Sequence, residues 1–544
     1  MKRFSFHQDR LETVVSSRKV FDDPKRIRAR RARAVVIALV TAVLCWAILF
    51  LDGSFSLQSA LRELNPFYRD NRSHVHPAGD SNGQHELTHL VSASPVPQAA
   101  PACETGHKQP VFSAMADPGD PRVFGHVPVS SEGAFLSLED SCGQLGVVVP
   151  EWISIVEEQD RPAVSLISKD TRISVEEYMS GAAVRPQLLP AVLLGEKRKE
   201  EAFLDSIADA AQAPALAEGM AAAVAALNAQ GACLDFTGLD PDAFQRLRPL
   251  MARFSDTFRS RGLTACTILA GSQAEWKDAE LTGLFDQVIL KLFQEPWAES
   301  VPGPLAPYNW IEDVAAEAVQ AIGAKKLVVA IGNFAVEWTS GSSKPELLSY
   351  SEAMQRMSAA GADLRFSAKS SNSFSRYRDA QGQQRKIWML DAASAHNQLL
   401  RLKELGIANV AVWSLGQEDP GIWKVLQHQN AAKDVLEAEL AIAELNNFVD
   451  YKGQGAFIRI DQRASAGVRQ VTFEAETGLV TDQSYSRLPK PYSIELYGKP
   501  ERRKLVLTFD DGPHERFTKE ILDILQEEQV PGAFFVVGTS VMNS

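Results

Sequence analysis

Cysteine is scarce in this chain and poorly spaced for chemistry. Its 544 residues hold five, Cys45, Cys103, Cys142, Cys233 and Cys266, and no two form a CxxC pair. That excludes a disulfide-stapled scaffold, a zinc ribbon and a thioredoxin-type site. Cys103 and Cys142 flank the start of the folded region, where an oxidising compartment would allow a disulfide between them; it needs Cα atoms within about 7 Å, a distance the sequence leaves open. Cys233 and Cys266 fall on successive expected strands and read as buried apolar residues. Positive charge is outnumbered over most of the length. Met1–Arg33 holds 11 Lys and Arg against 4 Asp and Glu, a net +7, so within the formal −12 the remaining residues carry −19. An acidic body argues against a nucleic-acid partner. No repeat of about 20–50 residues is present, which excludes a solenoid. Apolar residues are plentiful at 45% with 23% charged, so the chain is not disordered overall, and its length calls for roughly two to four domains.

One long uncharged run is present. Ala34 to Leu51, AVVIALVTAVLCWAILFL, is 18 residues without a charge, close to the span of a hydrocarbon core of about 30 Å. Bulky Leu49-Phe50-Leu51 precede Asp52 and no A-x-A stands at the end of the run, so it reads as a transmembrane helix rather than a cleaved signal. Lys25, Arg26, Arg28, Arg30, Arg31 and Arg33 on its N-terminal flank place residues 1–33 in the cytoplasm as a basic tail. The expected location is the inner (cytoplasmic) membrane, crossed once, with the bulk periplasmic or extracellular. Residues 52–120, rich in Ser, Pro, His, Gly and Asn, read as a disordered linker. Within it His85-Glu86-Leu87-Thr88-His89 matches HExxH, but that motif acts from a helix face, and this one stands in a polar stretch with little to pack against.

From Arg122 short apolar strands alternate with amphipathic or Ala-rich helices. The strands expected are Val123–Val129, Gly146–Val149, Leu188–Leu194, Ala232–Phe236, Thr264–Leu269, Gln287–Phe293, Lys326–Ile331 and Val410–Ser414. Helices are expected at Glu201–Ala229, Pro241–Ser260, Trp310–Ile322 and Ala392–Leu405. The fold class is therefore α/β, a (β/α)8 barrel over residues 121–450. A hairpin inserted late is expected at Phe374–Leu390, turning at Asp379-Ala380-Gln381-Gly382. A β-rich connecting segment follows at 451–500, and the start of a further (β/α) barrel at 501–544.

In that last unit the strand LVLTF runs directly into Asp510-Asp511-Gly512-Pro513. Adjacent side chains on an extended strand point apart, so the two carboxylates act together only where the strand breaks, a role assigned here to Gly512-Pro513. Two such groups can divide labour between metal ligand and base; a solvated turn is the competing reading. LVLTFDDGP, a T-x-x-I-L-D-I-L helix and V-P-G-A-F-F-V-V-G together resemble the opening of the NodB-type polysaccharide deacetylases, carbohydrate esterase family 4. The resemblance implies Asp510 as catalytic base and Asp511 as ligand of a divalent metal, zinc or similar. That family adds two histidines of an H-x-x-x-H motif downstream; the last histidine here is His514, and Ala533 stands where Thr is frequent. The match covers residues 490–544, about a quarter of such a domain, so the segment is expected to be truncated and inactive alone, with its metal position unfilled.

Residues 122–447 resemble glycoside hydrolase family 18 barrels through VVPEWISI (148–155), GACLDFTGL (231–239), KLVVAIGNFAVEW (326–338) and GIANVAVWSLGQEDPGIW (406–423). The resemblance places Asp235 at the aspartate that steadies the substrate's acetamido group and Thr237 where the acid glutamate stands. A threonine hydroxyl is no general acid near neutral pH, and loss of positioned proton transfer costs about 10²–10⁴-fold. Hydrolysis by the barrel is therefore not expected; Glu151 and Glu337 are the candidate replacement acids, but nothing in the sequence places either beside Asp235. Trp152, Trp338 and Trp413 are candidate sugar-stacking residues at strand ends, Trp413 by analogy with the eighth strand of the family, with packing at the rim as the alternative. Together these readings imply a membrane-anchored deacetylase fragment with a glycan-binding, hydrolase-like barrel. The implied partners are the membrane and an N-acetylglucosamine polysaccharide or oligosaccharide. Related fusions continue into a glycosyltransferase. The alternatives are a noncatalytic glycan-binding or scaffold protein and a chitinase-like hydrolase.

Overall fold

A computed structural model describes residues 122–541, less 130–132, 142, most of 168–184, 196–199, 296–299, 430, 447, 500–506, 515 and 538–540. The run Ala34–Leu51, the HExxH match, Cys103 and Cys142 lie outside the described residues. Among the described residues no helix is long and apolar enough to cross a membrane.

Eight apolar segments pair in parallel as a closed ring: β1 (Val123–Val127), β2 (Leu145–Glu158), β3 (Ala191–Leu194), β4 (Gly231–Asp235), β5 (Thr264–Ala270), β6 (Gln287–Lys291), β7 (Leu327–Gly332) and β8 (Asn409–Trp413). β1 pairs with both β2 and β8, which closes the barrel. Runs such as VVAI and VIL are apolar at successive positions because a parallel strand in this fold is covered on both faces. β4 and β5 approach so closely at Gly231 that a Cβ there would meet the Thr264 carbonyl oxygen at 2.1 Å. β2 continues well past Val149 because its end folds into an antiparallel hairpin with Arg161–Leu166.

The expected helices lie where the periodicity placed them, but two are broken. Glu201–Ala208 is followed by a separate Ala213–Ala226, and Pro241–Arg246 by Arg248–Ser260. Each second helix opens with proline, Pro214 or Pro249, in its first two positions; a ring there lacks the N–H that would continue the preceding helix. Tyr308–Ile322 and Ala392–Glu404 are unbroken. Between β7 and Ala392 lies more than a hairpin. Asn372–Arg378 and Gln384–Met389 pair antiparallel as expected, within a five-stranded sheet that also holds Glu346–Leu348, Ala335–Thr339 and Arg365–Ser367. Helix Tyr350–Ala360 covers it, opened by a Ser349–Glu352 capping box and closed by Gly361 at φ 60°.

After the barrel come two three-stranded sheets. One is Ile442–Ala443, Gly467–Phe473 and Val480–Arg487; the other is Val449–Gly453, Tyr492–Tyr497 and Phe457–Gln462. The first is fastened to the barrel through buried polar groups. Arg469 donates to Asp419 Oδ2 at 2.6 Å and to the Leu440 carbonyl at 2.8 Å, both side chains being at most 1% exposed. Asp419 also accepts from the amides of Ala392 and Gly421. Asn397, on the helix before β8, exchanges two hydrogen bonds with the backbone of Val480. The chain then forms a parallel β-α-β unit, strand Leu507–Gly512, helix Phe517–Glu527 and strand Gly532–Val536.

Removing one member of a buried pair strands a charge and costs about 3–5 kcal/mol. Arg469→Met should therefore lower unfolding free energy by about that amount in urea titrations followed by tryptophan fluorescence, and Asp419→Asn added to it should recover part of the loss. An Arg469→Met chain as stable as wild type would show that the pair does not anchor the sheet.

Candidate functional site

The C-terminal ends of the barrel strands converge on one mouth, as parallel closure requires. β4 ends at Asp235, which is half-buried, and the chain turns so that Thr237 folds back on it. The Thr237 amide donates to Asp235 Oδ1 at 3.0 Å and its hydroxyl donates to the same oxygen at 2.6 Å. β6 ends at Lys291, 5% exposed, whose Nζ lies 3.5 Å from Thr237 Oγ1 and 2.5 Å from Glu295 Oε1. Burial alone would discharge this lysine; Glu295, Asp235 and Glu151 outweigh it and hold its pKa above 10.5.

β1 contributes His126 and β8 contributes Trp413. Their rings stack with centroids 3.8 Å apart and planes 7° from parallel, and Lys291 Nζ lies 5.6 Å from the Trp413 ring centre. His126 Nδ1 is 2.8 Å from Ser414 Oγ, while Asn333, just past β7, donates to the Ser414 carbonyl at 3.2 Å. On β2, Glu151 accepts from the Val129 amide at 2.9 Å and lies 3.3 Å from His126 Nε2. Burial pushes the Glu151 carboxyl up, but His126, the Val129 N–H and Lys291 together hold it below 4.5.

The residues expected to form the site are thus separated. Asp235 and Trp413 are at the mouth with Glu151. Trp413 is 7% exposed with His126 against it, so it offers an edge more than an open floor. Trp152 is 1% exposed in the core and presents no face on which a sugar could stack. Trp338 lies in the inserted sheet, 8% exposed, its Nε1 donating to the Ser300 carbonyl at 2.8 Å. Glu337, weighed as a replacement acid, is locked in that sheet between Arg356, Arg385 and the Tyr377 hydroxyl. Burial, together with the Glu337 carboxylate, pushes the Tyr377 phenol well up. His126, Lys291 and Glu295 were not singled out from the sequence. The signal available was a charged or polar residue inside an otherwise apolar barrel strand, VFGHV and QVILK.

Asp510 and Asp511 stand exposed at the end of strand Leu507–Gly512. Pairing with Gly532–Val536 is regular through Phe509↔Phe534 and resumes at Gly512↔Val536, so the two aspartates occupy the bulge between them. Asp511 has φ 63°. The bulge and the left-handed residue break the alternation that would point the carboxylates apart, a task expected of Gly512-Pro513. His514 Nδ1 is engaged as acceptor for the amides of Arg516 and Phe517. Among the described residues no group of three or more His, Cys, Asp or Glu is placed to hold a metal ion. The described residues therefore do not fit a zinc site, which takes about three protein ligands.

Residues 497–544 match the polysaccharide deacetylase family. A chitooligosaccharide deacetylase of Rhizobium leguminosarum bv. phaseoli is 65% identical over 48 residues, 8% of this chain and 21% of that protein. A cortical fragment-lytic enzyme of Bacillus subtilis is 24% identical over 208 residues, 36% of this chain and 48% of that one. The chain thus spans about half the length of one curated relative and about a fifth of the other. The crystal structure of a chitinase from Chromobacterium violaceum superposes with TM-score 0.51 at 16% identity, covering 57% of this chain and 99% of that one. The chain joins a barrel with the fold of that chitinase structure to a C-terminal segment that matches the polysaccharide deacetylase family.

Because the folded state holds Glu151 ionised more firmly than the unfolded chain does, the stability it contributes is present above 4.5 and lost as pH falls through its lower folded value. Glu151→Gln should destabilise the protein most at neutral pH, with the difference narrowing in urea titrations below 4.5. A difference independent of pH would exclude this role.

Proposed function

We propose that the chain is part of a membrane-anchored protein that deacetylates an N-acetylglucosamine polymer outside the cytoplasm, with a barrel that holds the glycan without cleaving it. The observation that carries this reading is the Asp510–Asp511 bulge, exposed at a strand end within the segment that matches the deacetylase family. By resemblance Asp510 is the base and Asp511 one metal ligand. The barrel's part rests on Asp235 and Trp413 at a mouth where a threonine hydroxyl and a charged lysine take the place of a proton-donating acid. The anchor rests on Ala34–Leu51 and the six cations before it.

Incubating the 544-residue chain and zinc with a chitooligosaccharide, then measuring retention and product mass, separates the readings. Retained, intact oligomer is expected, with zinc bound weakly because Asp511 alone among the family's ligands is present. Shortened oligomer would make the barrel a hydrolase; loss of acetyl groups would make the described carboxylates sufficient; no retention would end the glycan-binding reading.

Deleting residues 34–51 should move the chain from the membrane fraction to the soluble one. A full-length chain found soluble would refute the anchor.

A further inference from the structure

The barrel mouth departs from a two-carboxylate site at two positions. Thr237 places a hydroxyl beside Asp235, and Lys291 places an ammonium 3.5 Å from that hydroxyl oxygen. The lysine has little freedom to leave. It is 5% exposed, lies 5.6 Å from the Trp413 ring centre and 5.8 Å from that of Phe293, and is tied to Glu295 at 2.5 Å. Asp235 is likewise committed, since its Oδ1 already accepts from both the amide and the hydroxyl of Thr237.

Cleavage of a glycosidic bond uses a carboxylic acid that keeps its proton near neutral pH until the leaving oxygen takes it. Burial or a neighbouring negative charge preserves that proton; an opposite charge within about 4–6 Å removes it, lowering the pKa by about 1–3 units. A carboxyl at position 237 would reach at least as far as the hydroxyl there now, and so would meet the Lys291 ammonium. There Asp235, 2.6 Å from the present hydroxyl, would favour the protonated form and Lys291 would oppose it, shifting the carboxyl toward its ionised form.

We infer that Lys291 is a second, independent determinant of the barrel's chemistry: a fixed cation where hydrolysis would need a removable proton. The inference rests on the reading of the barrel as a glycan holder that does not cut. It adds that the missing acid cannot be restored at position 237 while Lys291 remains. Lys291 acts through its charge on the neighbouring position, as a positioning residue rather than a catalytic one.

The test uses the full chain as wild type, Thr237→Glu, Lys291→Met and the double variant. The carboxyl introduced at 237 is followed by carbon NMR with glutamate labelled in the side chain. In Thr237→Glu it should titrate at least about 1 unit below its value in the double variant, where Asp235 is present but the ammonium is not. An equal value in both overturns the inference, whatever the activity. Cleavage of chitooligosaccharide by Thr237→Glu as fast as by the double variant overturns it too. If circular dichroism shows Thr237→Glu unfolded, Thr237→Asp with and without Lys291→Met gives the same comparison, read in the same way. Retention of oligomer by the wild-type chain reports separately on glycan binding, so that reading can fail while the pKa comparison still decides the effect of Lys291.

Discussion

A buried ammonium has to be surrounded by negative charge, and the arrangement of the barrel mouth follows from where Lys291 ends β6. Desolvation works to discharge the lysine, and Glu295, Asp235 and Glu151 prevail over it. Asp235 and Glu151 each carry a further contact. Asp235 draws back the Thr237 amide and hydroxyl, Glu151 faces His126, and His126 stacks on Trp413. Five of the eight barrel strands, β1, β2, β4, β6 and β8, are thereby joined around one cation. The mouth is a connected set of polar groups rather than a row of independent ligands, and a change at one is felt at the others.

Elsewhere the protein handles buried charge differently. Arg469 and Asp419 are almost wholly out of water and join the small sheet to the barrel, a use suited to a guanidinium, whose several donors reach Asp419, the Leu440 carbonyl and the Tyr485 hydroxyl together. Glu337 is the mirror case, a buried carboxylate enclosed by two arginines and a tyrosine within the inserted sheet. In both, charge serves as a joint between layers of structure. At the mouth it borders the opening where a ligand would enter, which is why that cluster and not the others bears on function.

Much of this was legible in advance. All eight barrel strands lie where short apolar runs placed them, because a strand covered on both faces must be apolar throughout and is bounded by polar turns. The inserted hairpin was legible from its Asp379–Gly382 turn, and the deacetylase segment from a motif whose letters are dense and consecutive. Less was legible in the site. A tryptophan at a strand end has the same local pattern whether it faces a ligand, as Trp413 borders the mouth, or the core, as Trp152 does. Glu337 reads as a free carboxylate until Arg356 and Arg385, some 19 and 48 positions away, fold onto it. The breaks before Pro214 and Pro249 were missed because amphipathic periodicity runs through them, although proline chemistry forbids a continuous helix.

By itself the sequence determined the elements, their order and the chemical alphabet of each strand end, since these follow from local pattern: apolar periodicity, proline and glycine positions, and the Asp-Asp step after an apolar strand. Tertiary structure decided which of those ends meet. That Lys291 stands against Thr237, 54 positions away, follows from barrel closure and from nothing near either residue. That Asp510 and Asp511 fall in a bulge follows from the register between two strands joined by a helix. Proximity between distant segments is set by how strands pair and sheets close, and the charge state of a side chain is set by that proximity, so neither is written in a residue's own neighbourhood.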